Sequence, residues 1–112
     1  MNQKIKTEWV NALRGGEYKQ GYHRLKTIKD NGTVEYCCLG VLCDLHSKAT
    51  GNQWDGEYYG LINEDFVLPP EVQAWAGLES YDPQLGKEKC TFLNDGVYKK
   101  FDYIADLIEE HL

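Results

Sequence analysis

What the sequence lacks narrows its function before any motif is read. No apolar run approaches the roughly 20 residues that a membrane-spanning helix requires. The first residues hold Lys4, Lys6 and Glu8 close together, without the apolar segment of a secretory signal. The expected compartment is therefore the cytoplasm. The CxxC spacing of a zinc knuckle is absent, and so are the EF-hand pattern and a glycine-rich phosphate loop. No internal repeat and no low-complexity segment interrupts the chain. One small globular domain spanning residues 1–112 is expected, with neither cofactor nor metal called for.

Four cysteines are present, and in a reducing compartment they are expected as free thiols. Cys37 and Cys38 open a stretch that runs to Cys43 with no polar side chain except thiols. A helix that is apolar on every side has no face for water and must be buried. Beyond it Leu42, Leu45 and Ala49 continue one stripe at helical spacing, and Gly51 supplies a C-terminal stop. The pattern predicts a central helix over 37–50 with the rest of the chain packed around it. Gly40, mid-helix, implies an element crossing closely there, with the last helix (Phe101, Ala105 or Ile108) the expected neighbour.

The remaining elements follow in order. Thr7 suits a helix N-cap, Trp9, Val10 and Leu13 form an apolar edge, and Gly15 and Gly16 stop the helix. Alternation from Tyr22 to Tyr36 around Asp30-Asn31-Gly32 predicts a β-hairpin over about 22–36. Pro69-Pro70 pre-sets a helix carrying Val72, Trp75 and Ala76, closed by Gly77. A short helix is expected from about Lys87 to Leu93. A last one is expected from about Lys99 to His111, with Phe101, Ile104, Ala105 and Ile108 on one face and four acids on the other. The sum is an α+β, helix-dominated fold of about five helices and one hairpin.

Charge is polarised along the chain. Residues 1–29 hold seven Lys or Arg and two Glu, for 7 − 2 = +5; residues 30–112 hold five basic and sixteen acidic residues, for 5 − 16 = −11. Two faces that attract each other within the fold would account for the split, as would an acidic surface for a basic partner. The acidic face of the last helix repels phosphates, so direct nucleic-acid binding is not expected. Aromatics are plentiful, with three Trp, eight Tyr and three Phe. Core filling explains many of them. A recognition surface or pocket would also use them, and the aperiodic stretch 51–68 concentrates four.

Three chemistries can be assembled from these parts. Tyr18, Gln20, Trp54, Tyr58 and Tyr59 could stack on and hydrogen-bond a nucleotide-like base, with Arg14, Lys19 or Arg24 meeting its phosphate. Asn94 and Asp95 either present side chains at a pocket mouth or simply turn one helix into the next. Cys37, at a helix N-terminus with His23 brought near by the hairpin, has the outline of a cysteine nucleophile. Its flanks, Tyr36 and Cys38, lack the small approach a substrate carbonyl needs, which favours a buried structural thiol.

The block Tyr36-Cys37-Cys38-Leu39-Gly40-Val41-Leu42-Cys43-Asp44-Leu45 resembles the signature of a family of small proteins found in bacteriophages and prophages. Trp9, Ala12-Leu13-Arg14, Gly16, Tyr18 and Gln20 before it belong to the same pattern. So do Leu68-Pro69, Val72 and Trp75-Ala76-Gly77-Leu78, and then Leu93-Asn94-Asp95, Phe101, Ile104-Ala105-Asp106 and Ile108-Glu109. The stretch from Thr50 to Phe66 departs from it, and Tyr98-Lys99-Lys100 stands where a Ser or Thr cap is expected. The resemblance implies a phage-type origin and action inside the bacterial host cell, and implies no catalytic residue. The expected role is an accessory protein that binds a host or phage protein, as in host takeover or anti-defence. A nucleotide-signal binder and a Cys37 enzyme are the alternatives, and homodimerisation is left open.

Overall fold

The computed structural model describes residues 1–112. Its elements are α1 (Gln3–Arg14), β1 (Lys26–Ile28), β2 (Val34–Tyr36), α2 (Cys38–Thr50), α3 (Pro70–Ala76), β3 (Gln84–Leu85), β4 (Glu88–Lys89), a π-helical turn (Phe92–Gly96) and α4 (Phe101–His111). The fold is α+β and helix-dominated, with two small antiparallel two-stranded sheets.

Helix α2 lies at the centre, as its composition demands. Every residue from Cys38 to Cys43 is buried. Gly51 ends it in the left-handed conformation at φ 82°, which glycine adopts without a Cβ clash. One continuous core surrounds α2, and Trp9 is its largest fully buried side chain. The Trp9 indole N–H donates to the Cys38 carbonyl at 2.9 Å, fastening α1 to α2. Helix α1 also lies along α4, and Phe101, Ile104, Ala105 and Ile108 of α4 are all buried.

Helix α1 starts one turn earlier than Thr7 suggests. Asn2 is the cap, accepting from the Ile5 N–H at 2.9 Å, while the Thr7 hydroxyl donates back to the Gln3 carbonyl. Ile5, four residues before Trp9, extends the apolar stripe and draws that first turn into the core.

The hairpin forms with Lys26 opposite Tyr36, Thr27 opposite Glu35 and Ile28 opposite Val34. Its strands are shorter than the alternation suggests. His23 sits at φ 71°, which ends the extended run, and the Leu25 N–H pairs with Asp65 instead of a strand. The helix expected from about Lys87 begins only at Cys90. Gly86, at φ 76°, turns the chain into a tiny hairpin, and the π-helical turn follows it.

Gly40 does lie under a close crossing, but the neighbour is not α4. It is the backbone at Leu25, whose carbonyl accepts from the Cys37 N–H at 3.3 Å. A Cβ built on Gly40 would land on that carbonyl group. Both partners are main chain and neither can swing away. Gly40→Ala is therefore expected to destabilise the fold by about 1–3 kcal/mol despite alanine's better helix propensity, read as a lower urea midpoint. An unchanged or higher midpoint would mean that the crossing is loose.

Candidate functional site

The predicted ligand-binding residues separate into groups. Tyr18, Trp54 and Tyr59 come together at one end of α2, around Asp44. The Tyr18 hydroxyl donates to Asp44 Oδ2 at 2.6 Å and the Trp54 indole N–H to Asp44 Oδ1 at 3.0 Å. Lys48, one turn on along α2, donates to the Tyr18 oxygen at 3.0 Å and lies 3.5 Å from Asp44. Burial, reinforced by the Asp44 bond, pushes the Tyr18 hydroxyl up to about 12. Tyr36 packs edge-on between Tyr18 and Trp54, with centroids 5.1 and 6.0 Å away, and the Lys26 ammonium lies 4.8 Å from the Trp54 ring centre. Sequence reasoning passed over Tyr36, Asp44, Lys26 and Lys48 in this array. The α2 spacing of Asp44 and Lys48 was the signal available.

Tyr59 closes the array from below. Its ring lies 4.7 Å from that of Trp54, and its hydroxyl shares a 2.7 Å hydrogen bond with His46 Nδ1. Trp75 of α3 packs edge-on against the same imidazole at 5.1 Å. Tyr58 is exposed and joins none of these ring pairs.

Gln20, Asn94 and Asp95 form a second group, at the start of α2. Asn94 is fully buried because the π-helical turn swings it inward. Its Oδ1 accepts from Gln20 Nε2 at 2.9 Å and from the Cys38 N–H at 3.3 Å; its Nδ2 donates to the Gly21 carbonyl at 3.0 Å and to Asp95 Oδ1 at 2.6 Å. The same Asp95 oxygen accepts from the His23 N–H. Gln20 then reaches α4. Its Oε1 accepts from the Phe101 N–H at 3.2 Å and its Nε2 donates to the Lys99 carbonyl. Both Asn94 donors and both acceptor positions are spent within the fold. These residues hold the loop 19–23, α2 and α4 in register.

Arg14 lies with neither group. Its guanidinium forks onto Asp106 and Glu109 of α4, at 2.5 and 2.9 Å. Cys37 caps α2, its Sγ accepting from the Gly40 N–H at 3.4 Å, and burial pushes its thiol well above the ordinary value. This geometry works against a thiolate nucleophile. All four cysteines are free and buried, and no three His, Cys, Asp or Glu side chains converge to hold a metal.

The stretch 51–68 carries the two most exposed large apolar side chains of the chain. Paired bridges Asp55–Tyr58 and Tyr59–Glu64 fold it, and the Asn63 N–H bonds to the Gly60 carbonyl at 3.1 Å to close a tight turn. Gly60 turns at φ 87° against Pro69, and the Leu61 N–H is held by Glu71 Oε2 at 2.9 Å. At the tip Leu61 is 93% exposed and Ile62 62%. Phe66 and Tyr81 add exposed rings. Leu61 and Ile62 were not singled out from sequence, although two adjacent aliphatics between Gly60 and Asn63 are the pattern of a turn presenting apolar groups. No helix is long and apolar enough to cross a membrane.

The model of the family described as Domain of unknown function (DUF8296) matches residues 1–112. No curated protein and no solved structure matches the chain.

Two outcomes follow from these contacts. Asn94→Ala leaves the Cys38 N–H and the Gly21 carbonyl without their partner in the interior, so a loss of about 2–4 kcal/mol in urea unfolding is expected; a loss below about 0.5 kcal/mol would mean the network is dispensable. Burial holds the His46 imidazole below its ordinary 6.5. The unfolded chain thus takes up this proton first, so His46 stabilises the fold fully above about pH 6.5 and progressively less as pH falls to its folded-state value. The urea midpoint should therefore drop from about pH 7.5 to about pH 5.5 in the native protein and drop less in His46→Gln. Equal slopes for the two proteins would remove His46 as the cause.

Proposed function

The chain belongs to the family described as a domain of unknown function, DUF8296, and we propose, from its sequence resemblance to small bacteriophage and prophage proteins, that it is a small phage-type accessory protein. Its work is to bind a host or phage protein in the bacterial cytoplasm, in the manner of a host-takeover or anti-defence factor. The observation that carries this reading is the loop tip at Leu61 and Ile62. Aliphatic side chains so exposed gain nothing for the fold, and burial of a Leu or Ile side chain is worth roughly 1.5–3 kcal/mol once a partner covers it. The turn around them is fixed in advance by Gly60, Glu71 and the Tyr59–Glu64 bridge, which lowers the ordering cost of association.

Catalysis draws less support, because Cys37 is buried and its thiol is held in the protonated form. A nucleotide-like ligand also draws less support. The polar edges of Tyr18 and Trp54 are spent on Asp44, and Arg14 is spent on α4.

The test is capture from phage-infected bacterial lysate by the immobilised native protein and by Leu61→Ser/Ile62→Ser. A polypeptide held by the native protein and released by the variant is expected, with affinity falling by roughly 2 kcal/mol or more. The variant's urea midpoint should stay within about 0.5 kcal/mol of the native one, since the tip lies outside the core. Identical captures by the two proteins would overturn the reading.

A further inference from the structure

Beside the tip lies a groove of about 310 Å³ lined by Ile62, Val67, Leu68, Pro70 and Tyr81, with Glu64 as its one charged residue. On the other side of the tip, Leu61 and Gly60 border a second hollow whose one charged residue is Glu71. From Ala49 to Gly86 the chain carries seven carboxylates and no Lys, Arg or His. Some of these acids are engaged within the fold: Glu71 holds the Leu61 N–H, and Glu57 and Asp65 face Arg24 at 3.5 and 3.4 Å. Glu64 has no such partner. An apolar groove with an uncompensated carboxylate at its wall, set in a segment without cations, favours one sign of charge in whatever covers it.

We infer that the tip docks on a cationic protein segment, one that places Lys or Arg beside an apolar side chain. The apolar group enters the groove between Ile62 and Tyr81, and the cation meets Glu64. This inference rests on the binding role proposed above and adds the chemistry of the partner. Phosphates would be repelled by this surface. A second copy would bring its own net charge of −6 to the contact.

Panning a random peptide display library against the native protein, with counter-selection on Leu61→Ser/Ile62→Ser, supplies probes of defined sequence. Peptides that need the tip should be rich in Lys or Arg next to an apolar residue. Their affinity should fall on the order of tenfold between about 50 and about 300 mM salt. Glu64→Gln should weaken them on the order of three- to tenfold, while its urea midpoint stays unchanged. Tip-dependent peptides that are neutral or acidic, or insensitive to salt, would overturn the cationic partner and leave the docking role standing. Tip-independent peptides alone would overturn the docking role itself. Self-association lost in Leu61→Ser/Ile62→Ser would assign the tip to a second copy and also overturn the inference.

Discussion

The fold depends on one carboxamide. Asn94 is fully buried, and an amide left unpaired there would cost several kcal/mol. Two of its bonds end on the Gln20–Gly21 loop, one on the first turn of α2, and one on the adjacent Asp95, which in turn holds His23. Through Gln20 the same network reaches the start of α4. The hydrocarbon core sets how tightly these elements pack. The carboxamide sets where along their lengths they meet, because hydrogen-bond geometry tolerates little sliding.

That division explains what could be read in the sequence. The buried helix, the Gly51 and Gly77 stops, the Pro70 start and the α4 stripe are local patterns of hydrophobicity and backbone freedom, and each appears within a residue or two of its predicted place. The helix expected from about Lys87 starts late, at Cys90, and widens into the π-helical turn, because Gly86 and that turn answer to tertiary contacts. Asn94 must point inward to reach Gln20, and no spacing rule in the sequence announces that. The Gly40 crossing was legible as a missing Cβ, but the identity of the crossing backbone was not.

The candidate site was legible only in part. Tyr18, Trp54 and Tyr59 do converge, yet their polar atoms close on Asp44 and His46 instead of facing outward. Gln20 and Asn94 converge as well, as parts of the scaffold. Reading polar and aromatic residues as ligand contacts overlooks that a small domain must first satisfy its own buried groups. The apolar side chains left most exposed are plain aliphatics at a turn, Leu61 and Ile62, which composition alone treats as unremarkable.

Helix α4 has no side-chain cap of its own; the oxygen that accepts its first N–H belongs to Gln20, 81 positions earlier. Two of the acids on its outer face, Asp106 and Glu109, are likewise met from afar, by Arg14. A helix of this length is marginal in water on its own. While the chain is being synthesised, α1 and the loop after it therefore wait with their apolar faces uncovered until α4 has cleared the ribosome. Contacts between segments so far apart in sequence slow folding. A nascent chain that stops short of α4 therefore lacks part of its core and exposes apolar surface of the kind that chaperones and proteases act on.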